Sequence, residues 1–157
     1  LIVTLDKEIN FLLNKKMKNT NVHDGMDICI VDFDTTTNIL RIASANRPIF
    51  IWKDQQMIEV RGDRRSIGNT DEAKTEFTLH EITLSKGDSF YMFSDGITDQ
   101  FGGPNGKKLK RKGLLEFIES NAHLTMSEQR VAFKEYINEW KGELEQLDDM
   151  ILLACQI

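Results

Sequence analysis

The chain has 157 residues, of which 40% are hydrophobic and 29% are charged, a composition typical of one globular domain. Its formal net charge of -5 argues against a nucleic-acid binder held by phosphate contacts. No apolar run approaches the roughly 20 residues that cross a bilayer. Cys29 and Cys155 lie in apolar runs without a zinc-ligand partner, so we expect reduced, buried thiols in a cytoplasmic protein.

The first half of the chain predicts a helix followed by short strands. Residues 4–18 carry apolar side chains at helical spacing, with Thr4 as the expected N-cap. Alternating or apolar runs then predict strands at 26–33, 39–45, 49–53 and 57–60. The polar residues 61–75 predict a surface loop.

The second half predicts strands, a loop and two helices. The expected elements are strands at 76–84 and 88–95, a mobile loop at 102–108, helices at 109–120 and from a capping box at 125–128 to Gly142, and a strand at 150–157. Because the strand connections are short, an antiparallel meander is the economical topology. The predicted fold class is α+β, with helices laid against an antiparallel sheet.

Two acidic segments are predicted to meet at one edge of the sheet. Asp95 ends the strand at 88–95, and Asp148 begins the last strand. If these strands are antiparallel neighbours, the end of one meets the start of the other. Gathered carboxylates suit Mg²⁺ or Mn²⁺, and a pair of such ions holds a phosphate and activates a water for in-line attack.

Each carboxylate also has a plainer interpretation. Asp95-Gly96 is a good turn pair at a strand end, and Asp148-Asp149 continues an acidic stretch that suits a solvated turn. Asp99 either supports a metal ligand through a hydrogen bond or caps a loop. We favour Asp148 over Asp149 as the functional member of its pair.

Three segments together resemble a known family. They are Phe-Ser-Asp-Gly-Ile-Thr-Asp at 93–99, Ser-Ile-Gly at 66–68, and Leu-Asp-Asp-Met at 147–150 before an apolar strand. In this order and spacing they resemble the metal-dependent type-2C serine/threonine phosphatases, in the bacterial sporulation-protein-E (SpoIIE-type) branch. Residues 44–48 fall at that branch's small-residue and proline turn, and 100–107 look like a variant in bacterial sensor proteins that end in this domain.

The resemblance covers nearly the whole chain and implies a fold and a metal site. The family has an antiparallel β-sandwich flanked by helices, so we expect a type-2C phosphatase-like α+β fold. Its site holds two Mn²⁺ or Mg²⁺ ions bridged by acidic residues and water. By resemblance, Asp95 and Asp148 are metal ligands, and Asp149 takes the less directly involved position.

Two of the family's acidic motifs have no counterpart here. The first acidic strand and an Asp-Gly-His-Gly motif lie upstream of the helix predicted at 4–18, whereas Asp24-Gly25 follows that helix and is interpreted as a turn. Ile151 stands where the family often has Thr or Ser. We therefore interpret residues 1–157 as one domain, the C-terminal portion of a phosphatase domain with N-terminal strands missing. Two remaining carboxylates should bind divalent ions weakly or not at all, so we expect little or no activity from this chain.

The resemblance also implies a role in signalling. A metal-bound hydroxide would hydrolyse phosphoserine or phosphothreonine in a phosphorylated regulatory protein of the anti-sigma-factor antagonist type. The setting would be a cytoplasmic protein with an upstream sensor domain and no membrane contact by this domain. The alternatives are a non-catalytic regulatory or binding module on the same fold and, more distantly, another two-metal phosphoesterase or nuclease.

Other polar residues have weaker functional interpretations. A basic cluster could steer a phosphoprotein toward the site or form a solvated helix start, and it comprises Lys107, Lys108, Lys110, Arg111 and Lys112. Three arginines could contact phosphate or serve solubility: Arg47, Arg64 and Arg65. The scattered histidines are expected to be structural or exposed: His23, His80 and His123.

The missing strands lead to a prediction about the isolated chain. Uncovered sheet edges pair with other chains, so we expect these 157 residues to self-associate, with strand exchange as one route. Light scattering tests this expectation, and a monodisperse monomer would contradict it.

Overall fold

A computed structural model describes residues 1–16, 25–68 and 76–157. These residues form two units, one made of Leu1–Pro48 and Val60–Leu84 and the other of Ile49–Glu59 and Ser85–Ile157. Helices accompany antiparallel strands in both, which confirms the α+β class. No helix in the described part of the chain is long and apolar enough to span a bilayer.

The helices and strands of the described residues alternate irregularly along the chain. In order they are α1 (Ile2–Lys16), β1 (Ile28–Asp34), β2 (Ile39–Ala45), β3 (Ile49–Lys53), β4 (Gln56–Val60), β5 (His80–Thr83), β6 (Ser89–Phe93), α2 (Asp95–Asp99), β7 (Phe101–Gly102), β8 (Lys107–Lys108), α3 (Lys110–Asn121), α4 (Met126–Lys141) and β9 (Leu152–Gln156).

The first unit is built on an antiparallel sheet in which β2 lies between β1 and β5. Leu40 and Ile42 alternate along β2 and are fully buried, as period-2 patterning requires of a central strand. Near the start of α1, Ile2 is buried in a cluster with Ala45 and Ile67. The first helix therefore belongs to the core of this unit.

A buried ion pair ties α1 to the turn at 66–68. The Asp6 carboxylate accepts the Gly68 N–H (2.7 Å) and a guanidinium N–H of Arg65 (3.2 Å). Only 10% of the Asp6 side chain and 14% of the Arg65 side chain are exposed. Arg65 also lies 3.8 Å above the centre of the Phe77 ring. Arg65 thus has a packing role instead of the phosphate contact or surface position considered from the sequence.

The second unit is built on a sheet of order β4-β3-β6-β9, with α3 and α4 packed onto its core. Phe50 and Phe93 contact each other at a ring-centre distance of 5.0 Å. The fully buried Tyr91 donates its hydroxyl proton to Oε1 of Gln129 on α4 (3.0 Å). This bond and the aromatic cluster fix α4 against the sheet.

Some predicted limits differ from the structure. Helix α1 begins at Ile2 because the Leu1 carbonyl already accepts the Leu5 N–H (3.0 Å), so Thr4 lies within the first turn and is not its cap. Some strands are shorter than predicted, for example Ser89–Phe93 in place of 88–95, whereas β2 and β3 have the predicted limits. Parts of three predictions lie outside the described residues: the helix end at 17–18, Asp24 of the Asp24-Gly25 turn, and the loop at 69–75.

The predicted meander was wrong, and the segment predicted as a loop at 102–108 belongs to a β-hairpin. Strands β3 and β6 pair with each other while β5 pairs with β2, so the strands sort into separate sheets. Within 102–108 the chain forms part of the β7–β8 hairpin. Gly103 and Gly106 adopt φ of 64° and 56° in its turn, and the Gly103 N–H donates to the Trp140 carbonyl (2.7 Å).

The capping box at the start of α4 is confirmed. The Thr125 hydroxyl accepts the Glu128 N–H (3.3 Å), and the Thr125 N–H donates to the Glu128 carboxylate (2.9 Å). Gly142 is the C-cap of the same helix, as predicted. Local sequence therefore sets both ends of α4.

The buried Asp6–Arg65 pair predicts a large mutational effect. Asp6→Ala leaves the guanidinium buried without its carboxylate, and we expect the free energy of unfolding to fall by about 3 kcal/mol in urea denaturation. Glu8→Ala on the same helix is the control, since Glu8 is exposed and should change stability by less than about 0.5 kcal/mol. Equal effects of the two substitutions would show that the pair contributes nothing.

Candidate functional site

The two predicted acidic segments meet at one end of the β6–β9 pair. The strands are antiparallel neighbours, with Phe93 opposite Leu152. The end of β6 therefore adjoins the start of β9, as the sequence predicted. Asp95 follows β6 as the first residue of α2, and Asp148 precedes β9 in residues 142–151, here called the connector. Asp95 and Asp148 are both exposed.

Ser94 extends the strand pairing as far as the acidic segment. Its N–H donates to the Ile151 carbonyl (3.0 Å), and its hydroxyl accepts the Ile151 N–H (2.9 Å). The same hydroxyl donates to the Asp149 carbonyl (2.7 Å). These three bonds fix the backbone one residue away from Asp148.

Gly96 allows α2 to touch the connector backbone. A β-carbon at this buried position would lie 2.9 Å from the Asp149 carbonyl carbon and 3.2 Å from that of Asp148, with the Asp149 carbonyl oxygen closer still. The glycine is needed for close approach. The turn interpretation of Asp95-Gly96 therefore does not hold, because Asp95 opens a helix instead of ending a strand in a hairpin.

The Asp148 side chain is also oriented locally. Its Oδ1 accepts the N–H of Asp149 (2.7 Å), and its carbonyl accepts the Gln146 side-chain amide (2.8 Å). Asp149 is exposed and contributes its backbone to the contacts with Ser94.

Sequence reasoning missed Gln100, the C-cap residue of α2. It is fully buried, and its amide nitrogen donates to the Glu145 carbonyl (3.0 Å) while its amide oxygen accepts the Leu147 N–H (3.4 Å). Its backbone carbonyl accepts the Trp140 indole N–H (3.0 Å). The available signal was a lone glutamine next to the glycine-rich tract, which alone does not predict burial.

The donor set suits a hard divalent cation but is small. Carboxylate oxygens are preferred by Mg²⁺ and Mn²⁺, and Mg²⁺ takes about six oxygen ligands. Across residues 1–16, 25–68 and 76–157 there is no group of three or more His, Cys, Asp or Glu side chains placed to hold a metal ion. Asp95 and Asp148 would therefore share such an ion with water, phosphate or further acidic groups.

The other candidates lie in ordinary structural contacts. Asp99 pairs with Lys108 across the start of the β7–β8 hairpin (3.0 Å). Arg111 pairs with Glu59 (2.7 Å), so part of the basic cluster is neutralised. Lys112 forms an exposed ion pair with Glu116, its neighbour on the same helix. Of the histidines, His80 lies in β5, His123 is exposed, and His23 lies outside the described residues.

The close approach at Gly96 predicts a strong effect of one methyl group. Gly96→Ala should lower the free energy of unfolding by about 1–3 kcal/mol, because the Asp148-Asp149 backbone must move. Gly113→Ala is the matched control in α3, where the new methyl meets the side chains of Leu109 (2.5 Å to Cδ1) and Tyr136 (3.5 Å to the hydroxyl) instead of backbone, and helix propensity improves. Denaturant titration of both variants checks this, and a tolerated Gly96→Ala would refute the contact.

Comparison with known proteins identifies the family. The family model for Stage II sporulation protein E (SpoIIE) matches residues 5–157. No curated protein gives a significant match.

Solved structures share the fold at low sequence identity. The SiaA-PP2C domain of Pseudomonas aeruginosa is 23% identical with a TM-score of 0.78, over 99% of this chain and 69% of that one. The SpoIIE phosphatase domain from Bacillus subtilis is 15% identical with a TM-score of 0.60, over 100% and 73%. The catalytic domain of the serine/threonine phosphatase PstP, solved with two manganese ions, is 12% identical with a TM-score of 0.60, over 95% and 64%.

These matches agree with the family resemblance predicted from the sequence. The chain spans 64% to 73% of the lengths of the three solved chains. By its family model and its fold, the chain belongs to the SpoIIE family and has a phosphatase-type, PP2C fold.

Proposed function

We propose that this chain is part of a metal-dependent protein serine/threonine phosphatase, the output domain of a bacterial signalling protein. Asp95 and Asp148 are the proposed metal ligands, for Mn²⁺ or Mg²⁺. The observation that carries the proposal is the contact between Gly96 and the Asp148-Asp149 backbone, which places the two acidic segments side by side at one strand end. The PstP structure with two manganese ions supports the choice of metal.

The proposed roles of the residues follow from their positions. When bound, a pair of divalent ions supplies an activated water for direct attack on a phosphoserine or phosphothreonine ester. Asp95 and Asp148 offer exposed carboxylates that hold positive charge at this edge. Ser94 and Gly96 keep the two segments in register, which limits the reorganisation needed when the site is loaded.

The proposed substrate is a phosphorylated regulatory protein of the anti-sigma-factor antagonist type, acting in the cytoplasm under an upstream sensor domain. SpoIIE family membership supports this class. Lys107 and Lys110 of the exposed basic cluster favour approach of an anionic phosphoprotein. The net charge of -5 continues to disfavour nucleic acid.

A non-catalytic regulatory module on the same fold is the second candidate. It is favoured by the small donor set, since the described residues bring together two carboxylates and no larger acidic group. In such a module the site would bind a phosphorylated segment or a structural cation without hydrolysing a phosphate ester.

Hydrolysis of p-nitrophenyl phosphate with Mn²⁺ separates the two candidates. We expect little or no turnover from these 157 residues. We expect Mn²⁺-dependent turnover when they are preceded by the family's upstream acidic motifs, and a loss of at least about 100-fold in Asp95→Asn, because a charged ligand becomes a neutral one. Asp99→Asn is the matched control and should retain activity, since Asp99 pairs with Lys108.

Absence of Mn²⁺-dependent turnover in the extended chain would leave the non-catalytic module as the function. Robust turnover by residues 1–157 alone would show that the site is made by other residues. Equal losses in Asp95→Asn and Asp99→Asn would remove the special role assigned to Asp95.

A further inference from the structure

We propose that Gln100 is a positioning residue that sets the place of Asp148 relative to Asp95. Its consequence for metal binding rests on the function proposed above. The inference itself comes from the connector, which is fastened to α2 and its flanking residues at two points.

One fastening point lies after Asp148 and the other lies before it. After it, Ser94 bonds the backbone of Asp149 and Ile151. Before it, Gln100 bonds the backbone of Glu145 and Leu147. Asp148 is therefore held between two anchors that are themselves the residues flanking α2.

Helix α2 makes a firm link between these anchors. Ile97, in its middle, is fully buried in the aromatic core of the second unit. The Thr98 hydroxyl donates to the Asp95 carbonyl (3.1 Å), which closes the short helix on itself. Asp95 is the first residue of α2 and Gln100 is its C-cap. Because the Gln100 side chain bonds the connector, a change in that side chain would shift the connector relative to the Asp95 carboxylate.

The chemistry of glutamine suits this position. A single amide presents one donor to the Glu145 carbonyl and one acceptor to the Leu147 N–H, two residues apart on the connector. A carboxylate would lack the donor, and an aliphatic side chain would lack both groups. Since Gln100 is fully buried, its amide depends on these two groups and on the Phe101 carbonyl (3.0 Å) for its hydrogen bonds.

The end of α4 depends on the same residue. The Trp140 indole N–H donates to the Gln100 carbonyl, and Leu109 donates its backbone N–H to the same oxygen (3.0 Å). The last turn of α4, which precedes the connector, is thus also hydrogen-bonded to Gln100. Substitution of Gln100 should lower stability whether the residue only stabilises the fold or also positions the connector. The test therefore needs a control substitution at another buried glutamine that does not contact the connector.

Gln129 supplies that control. It is 6% exposed, lies in the same unit, and bonds the Tyr91 hydroxyl and the Leu124 carbonyl with its amide. Tyr91 and Leu124 both lie outside the connector and α2. We would compare Gln100→Met with Gln129→Met, since Met keeps the length and volume of the side chain while removing its amide.

Two measurements on the 157-residue chain decide the matter. The first is amide hydrogen exchange without metal, where Gln100→Met should speed exchange of residues 147–151 by about tenfold and Gln129→Met should leave them unchanged. The second is Mn²⁺ binding by water-proton relaxation, where Gln100→Met should raise the dissociation constant by about tenfold and Gln129→Met should not, although both variants lower the melting temperature. If Gln100→Met does not fold, Gln100→Glu replaces it, keeping the acceptor for Leu147 and removing the donor to Glu145.

The inference is overturned if connector exchange in the Gln100 variants matches that of Gln129→Met, or if Mn²⁺ binding is unchanged while exchange rises. Failure of the unaltered chain to bind Mn²⁺ would agree with the weak or absent binding expected of two carboxylates and would leave the proposed function to the turnover assay of the extended chain. The exchange comparison needs no metal and then still decides whether Gln100 positions the connector.

Discussion

The antiparallel pairing of β6 with β9 is the constraint on which the candidate site depends. It brings together two chain segments that are more than fifty residues apart and makes the end of one strand the neighbour of the start of the other. Ser94 extends the pairing one residue beyond the strands, to Ile151, and Gly96 then permits contact without a side chain between the backbones. Without this pairing Asp95 and Asp148 would have no reason to share a location.

The core of the second unit supports the pairing from one side. Phe50, Tyr91 and Phe93 are buried together with residues of α3 and α4, and the Tyr91 hydroxyl is satisfied by Gln129. Four of the five residues of β6 are buried. The exposed side chain of Asp95 thus follows a strand that lies in the buried core. In the first unit, Asp6 and Arg65 show the opposite use of charge, because they are buried and pair with each other.

The sequence predicted the parts of this structure that follow from local patterns. Alternating or apolar runs of residues predicted β2 and β3 at their observed limits, and the Thr125–Glu128 capping box predicted the start of α4. Strand pairing across sheets is a non-local property, so the meander was wrong even though the β6–β9 neighbourhood was right. Glycine signals were ambiguous for the same reason. Gly103 serves a hairpin turn that was expected to be a loop, while Gly96 serves a close contact that only the partner segment explains. Gln100 was missed because nothing in its neighbourhood reveals that a polar side chain there is fully buried.

The proposed function requires that Asp95 and Asp148 bind the same divalent ion. Substoichiometric Mn²⁺ added to the isotopically labelled chain tests it most directly, because the paramagnetic ion broadens nearby amide signals in proportion to proximity and occupancy. If both carboxylates bind the same ion, signals of residues 94–97 and 147–150 broaden together, and both sets recover in Asp95→Asn and in Asp148→Asn. Broadening of one set without the other, or broadening that persists in both variants, would contradict it.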